Sequence, residues 1–162
     1  LGSPEFAAST TCRLKRPFAF VVSALRGVGA DTDGGGPVLD TLTRMGQAPF
    51  RYPTPDGYPD EAGPWLGTLL WRWRFAVRLA TGRLNGTTVD LPRLAAAAGD
   101  PGDGSALACH LLGREWTADE RDAVAAAAGG EPAVGGDESA HARRRVVAIT
   151  ATLLASPCFQ RC

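Results

Sequence analysis

The chain has 162 residues with 17 Lys+Arg against 17 Asp+Glu, 20 Gly and 12 Pro, a length that suits one compact domain of ordinary size. A formal net charge of zero lacks the basic excess that nucleic acids and acidic membrane surfaces demand, so no nucleic-acid partner is expected. Hydrophobic residues at 44% and charged residues at 21% exclude disorder throughout, while the Gly and Pro content calls for several loose connections.

The first six residues, Leu1-Gly2-Ser3-Pro4-Glu5-Phe6, have the pattern of a protease-site and cloning scar, which leaves 7–162 as a single expected helical domain. No uninterrupted apolar run reaches about 18 residues, so no membrane span is expected. From Arg16 to Ala30 the periodicity predicts an amphipathic helix opened by Pro17, with Phe18, Val21, Val22, Leu25 and Val28 on one face. After Gly34-Gly35-Gly36 a second helix opens at Pro37, lines up Val38, Leu39, Leu42 and Met45, and ends at Gly46. The two should form a hairpin.

Between Gln47 and Pro64 stand Pro49, Pro53, Pro55, Pro59 and Pro64 with Phe50, Tyr52 and Tyr58, too many missing amides for a helix or central strand. This reads as a long, ordered, Pro- and aromatic-rich loop that covers the bundle or forms part of a site. A third helix is predicted over Gly63 to Leu84. Its expected buried side holds Leu66, Leu69, Trp73, Ala76, Val77, Ala80 and Leu84, and Trp71, Arg74 and Arg78 fall opposite.

Asn85-Gly86 turns the chain, Asp90 caps a short helix to Ala98, and Gly99 stops it. A fifth helix, about Ser105 to Arg114, presents Leu107, Ala108 and Leu111. Thr117 and Glu120 have capping-box spacing ahead of a sixth, Ala118 to Ala128. A Gly-rich connection at 129–136 reads as flexible. The last helix, about Glu138 to Ser156, lines Ala142, Val146, Ile149, Thr150, Leu153 and Leu154 on one face. No period-2 run is long enough for a convincing strand, so the fold class is all-α, an irregular bundle of about six or seven helices.

Chemistry-bearing motifs are sparse. Cys12, Cys109, Cys158 and Cys162 are candidates for a disulfide or for free thiols, and sequence selects no pairing. They lack the clustered ligand pairs of a zinc site, and neither His110 nor His141 completes one, so no metal or cofactor is expected. No phosphate-binding loop, nucleophile elbow or H-E-x-x-H helix occurs. Ser139 and His141 point in different directions on a helix, and Asp56, Asp60 and Glu61 read as turn and helix-start carboxylates. Arg143-Arg144-Arg145, the only basic run, splays around a helix axis. The binding candidates are Trp71, Arg74 and Arg78, joined by Tyr58 and Trp65 of the aromatic loop, because Trp, Tyr and Arg dominate recognition surfaces.

Three segments carry a family resemblance. Lys15 to Arg26 resembles a "K-x-P-x-E-F-V-V-S-A-L-R" helix. Met45 to Leu66 resembles a "G-Q-x-P-F…P-x-P-x-G-W/Y-P…W-L" loop, and Leu153 to Gln160 resembles an "L-L-x-S-P-E-F-Q" ending. In this order they resemble the C-terminal part of the bacterial family called domain of unknown function 1800. Cys158 replaces Glu in the ending, and Arg74 replaces Asn in an "R-x-N-F-A" stretch. The resemblance implies a mostly helical, often exported protein, periplasmic or extracellular, with no established reaction, of which this chain is the final portion. The expected role is a structural or interaction module whose partner is the remainder of its parent chain, another protein or a glycan. Two alternatives are part of an enzyme whose active site is completed by an N-terminal region, and acidic-polysaccharide binding through Trp71, Arg74 and Arg78.

Overall fold

In the computed structural model, which describes residues 13–100, 102–128 and 138–161, the helical periodicity becomes seven α-helices among the described residues. They are α1 (Pro17–Gly27), α2 (Gly36–Arg44), α3 (Leu69–Ala80), α4 (Leu91–Ala98), α5 (Ser105–Leu112), α6 (Ala118–Ala128) and α7 (Glu138–Ala155). A 3₁₀ helix, Gly63–Thr68, leads into α3, and two-residue strands β1 (Asp31–Thr32) and β2 (Thr87–Thr88) pair antiparallel. The expected scar, the Gly-rich connection at 129–136, Cys12 and Cys162 lie outside the described residues.

The centre of the bundle is the α3–α7 pair; α1 packs on α3, and α4, α5 and α6 pack on α7. Pro17 starts α1 as its fixed φ dictates, but the buried face is Phe20, Val21, Ala24 and Leu25, and Phe18 points into solvent. The face is rotated from the expected one because Phe20 stands edge-on to two rings, Phe75 of α3 at 6.0 Å and Phe159 at 5.9 Å. In α2 the buried stripe is Val38, Thr41 and Leu42, with Leu39 exposed. The Thr41 hydroxyl donates to the Pro37 carbonyl, so it enters the interior satisfied.

β1 and β2 are strands that the alternation did not signal. They match Asp31 to Thr88 and Thr32 to Thr87, with the two threonine hydroxyls 2.8 Å apart. The ribbon ties the α1–α2 connection to the α3–α4 connection.

The aromatic loop is ordered by its own side chains. Tyr58 donates its hydroxyl to the Ala48 carbonyl at 2.7 Å, and Trp65 donates Nε1–H to the Pro59 carbonyl at 3.2 Å. Arg13 and Arg16 both reach Asp60 at 2.9 Å, which fastens the loop to the segment before α1.

The predicted third helix divides into the 3₁₀ turn and α3, and its buried side differs from the expected one. Arg72, Phe75, Ala76, Leu79 and Ala80 face the core, whereas Leu66, Leu69, Trp73 and Val77 are exposed. Both faces are apolar, so periodicity alone does not choose between them; packing against α1 and α7 does.

Further along, Asp90 caps α4 by accepting the Arg93 amide, and Gly99 closes it in the left-handed conformation. Asp100 organises the next turn: Oδ1 accepts the Gly102 and Gly104 amides, and Oδ2 accepts that of Leu107. The capping box forms in both directions, since the Thr117 amide donates to Glu120 Oε2 and the Glu120 amide donates to Thr117 Oγ1. No described helix is long and apolar enough to cross a membrane.

Candidate functional site

The residues with recognition chemistry gather where α2 meets α3. Trp71, Arg74 and Arg78 line an open groove of about 550 Å³ with Arg44 and Asp40 of α2 on the other side. Helical spacing puts Trp71, Arg74 and Arg78 on one stripe. The half-buried Trp71 ring holds two guanidinium groups, Arg44 at 4.9 Å and Arg74 at 5.2 Å from its centroid. Asp40 is engaged by Arg44 at 2.7 Å, one helical turn away. Arg78 Nε–H donates to the Arg83 carbonyl.

Tyr58 and Trp65 stand elsewhere. They line an adjoining groove of about 490 Å³ that shares Arg44 as its border. Trp65 is buried, and both polar handles are spent within the loop, so this pair shapes a wall and offers few free donors.

Beside the groove runs a feature of which Leu66, Trp73 and Val77 were expected in the core. Leu66, Leu70, Trp73 and Val77 are 56%, 56%, 49% and 49% exposed and recur at helical steps, forming an apolar ridge. Trp73 is its middle: it lines the basic groove on one side and, on the other, an apolar cleft of about 280 Å³ against Leu112, Val124 and Ala155. Its Nε1–H donates to the Ala155 carbonyl at 3.1 Å, which fixes the ring upright. Phe50 is fully exposed and is the only non-glycine among the described residues with positive φ, at 58°. For a bulky side chain that conformation is an outlier.

A second polar cluster closes the far end of the cleft. Glu120 accepts two bonds from Arg114, at 2.9 and 2.7 Å, and one from the Cys158 thiol at 2.6 Å. The Arg114 bonds, aided by the thiol and the Thr117 amide, pull the Glu120 carboxyl down to about 2 against the effect of burial. Burial first, and the Glu120 hydrogen bond second, push the Cys158 thiol up. A carboxylate this acidic is a feeble base and a protonated thiol a feeble nucleophile, so the cluster braces α6 against the chain end and offers no relay. Cys109 and Cys158 are free thiols, and no group of three metal-ligating side chains occurs among the described residues. His110 Nε2 lies 2.9 Å from the Gly27 carbonyl, a bond between α5 and the end of α1.

Arg72 escaped the sequence reading altogether. It is fully buried, its Nε–H donates to Thr68 Oγ1 at 3.0 Å, its Nη1 donates to Gln160 Oε1 at 2.8 Å, and its guanidinium lies 5.2 Å from the Phe20 ring. Nη2 has no hydrogen-bond partner. Desolvation lowers its pKa to about 10, which still leaves it charged at neutral pH. The only hint in the sequence is its place in the R-x-N-F-A-like stretch.

Residues that carry the family resemblance converge on this arginine: Phe20 from the first segment, Phe159 and Gln160 from the last, and Trp65 of the loop segment, whose carbonyl accepts the hydroxyl of Thr68, itself the acceptor for Arg72 Nε–H. Gln47 of the loop segment accepts the Phe18 amide at 2.8 Å, one of the orphan donors at the start of α1. These motif residues serve the fold. No curated protein and no solved structure matches the chain. A family model described as "Protein of unknown function (DUF1800)" matches residues 1–161, and the chain belongs to that family.

Proposed function

We propose that this chain is a helical interaction module that docks through the apolar ridge of α3. The observation that carries the reading is the ridge itself: Leu70, Trp73 and Val77 stay open to solvent on the helix that also forms the centre of the core, and Leu66 of the 3₁₀ turn before it extends the line. Contiguous exposed apolar surface marks a docking site. Phe50 adds to this, because a fully exposed aromatic ring on strained backbone contributes nothing to the isolated fold. Family membership supports the remaining features of the proposal: a position at the C-terminal end of a longer, exported bacterial polypeptide whose other part is the natural partner.

The test uses the wild-type chain and a Leu70→Glu/Trp73→Ser variant as baits, followed by reconstitution of any captured partner from purified components. The expected outcome is a partner held by the wild type at about micromolar Kd or tighter. The variant, destabilised by no more than the roughly 1 kcal/mol of the lost Trp73–Ala155 hydrogen bond, should lose roughly 2–4 kcal/mol of binding, the range of a buried aromatic anchor. Equal binding by both baits, or a large fall in the variant's thermal stability, would overturn the reading, since the second result marks the ridge as core.

A further inference from the structure

We infer that the segment received by α3 is an amphipathic helix with acidic side chains along one flank; this rests on the docking reading above. The ridge runs from Leu66 in the 3₁₀ turn through Leu70 and Trp73 to Val77 of α3, roughly 16 Å at helical rise, a spacing that suits the i, i+3/i+4, i+7 anchors of another helix. Its two sides differ in kind. One side is the groove in which Trp73 and Val77 stand next to Arg44, Arg74 and Arg78, and the other is the apolar cleft beside Leu112 and Val124.

The charge on the first side is unanswered. Among the described residues Arg13, Arg16, Arg44 and Arg114 each reach a carboxylate, whereas Arg74 and Arg78 reach none. The one carboxylate lining the groove, Asp40, is engaged by Arg44. Trp71 holds two of the guanidiniums against its ring, which places the positive charge before any partner arrives and lowers the ordering cost of binding. Because the molecule has zero net charge, this local excess selects the partner's orientation more than it accelerates encounter. The complementary helix lays apolar residues on Leu66, Leu70 and Trp73 and turns Glu or Asp towards Arg74 and Arg78. An acidic polysaccharide would answer the charge but leave Leu66 and Leu70 uncovered.

The probes are two dye-labelled synthetic helices of about 18 residues, identical at their leucine positions and flanked by Glu in one and Lys in the other. Binding is read by fluorescence anisotropy at about 50 mM and about 500 mM salt, either side of the range where exposed charges are screened. The Glu-flanked helix should bind tighter by about tenfold or more at low salt, with the gap closing at high salt. An Arg44→Gln/Arg74→Gln/Arg78→Gln variant should lose the preference while keeping its fold. Equal affinities for the two peptides, or a preference that survives in the triple variant, overturn this inference and leave docking intact. Failure of both peptides to bind saturably overturns the docking reading with it. An oligogalacturonate that binds tighter than the Glu-flanked helix and is lost with Trp71→Ala gives the groove to an acidic glycan instead, and the inference falls.

Discussion

Phe50 shows how one residue can work against the stability of the fold that carries it. Its left-handed backbone costs roughly 1–2 kcal/mol for a residue with a Cβ, and its side chain gains nothing from burial. Phe50→Asn should therefore raise stability by about 1 kcal/mol, measured by urea unfolding, while weakening the docked complex. A destabilised Asn variant would show that the ring packs somewhere in the free molecule. Glu120 has the opposite balance. Its folded pKa of about 2 lies below the ordinary 4.5, so its contribution to stability is complete above about pH 4.5 and is lost as pH falls towards 2. The stability gap between wild type and Glu120→Gln should be wide at pH 7 and narrow steadily through that window in denaturant titrations. A gap constant with pH would mean that the carboxylate gains nothing from Arg114 and Cys158.

At the scale of elements, the short helices were readable because their ends are marked by local chemistry. Asp90, Gly99, and the Thr117–Glu120 box act within a few residues of themselves, and the structure places α4 and α6 where those signals put them. α3 was readable as a helix and misleading as a surface. Ala76 and Ala80 lie inside as the pattern expects, but they are joined there by Arg72, Phe75 and Leu79 in place of Trp73 and Val77, a rotation that packing against α1 and α7 selects. Any reading by residue type also sends Arg72 outward. Its burial depends on Gln160, 88 positions away, and no local pattern carries that information. The turn before α5 is equally tertiary in its tolerance. Gly104 has φ 88°, and a Cβ there would sit 2.9 Å from Ile149 Cγ2 in the core. Gly104→Ala should cost roughly 1–3 kcal/mol from overpacking, with left-handed strain in addition, and lower Tm measurably. A neutral effect would mean that α5 and α7 shift apart freely.

Across the whole molecule, the sequence was legible where the family-like motifs stand, but their physical purpose was not. The first and last segments meet: the Lys15 amide donates to the Gln160 carbonyl at 2.7 Å, the Lys15 ammonium lies 3.9 Å from the Phe159 ring centroid, and Leu14 bridges to Arg161. The loop segment joins them through Thr68 and Arg72. The motif segments therefore hold an internal junction, while the groove of Trp71, Arg74 and Arg78 lies apart from it on α3. Helix type and order follow from periodicity and punctuation; which side of a helix faces a partner follows from contacts that a single sequence does not display.

The antiparallel bridge between Leu14 and Arg161 has a mechanical consequence. Tension applied to the backbone at Arg13 and Arg161 acts across this bridge and loads the bond from the Lys15 amide to the Gln160 carbonyl. The pull reaches Gln160 next, and withdrawing Gln160 strips the buried Arg72 of one of its two hydrogen-bond acceptors. Strain arriving through the backbone is thereby delivered to the most poorly solvated charge in the core, and the bundle yields from within.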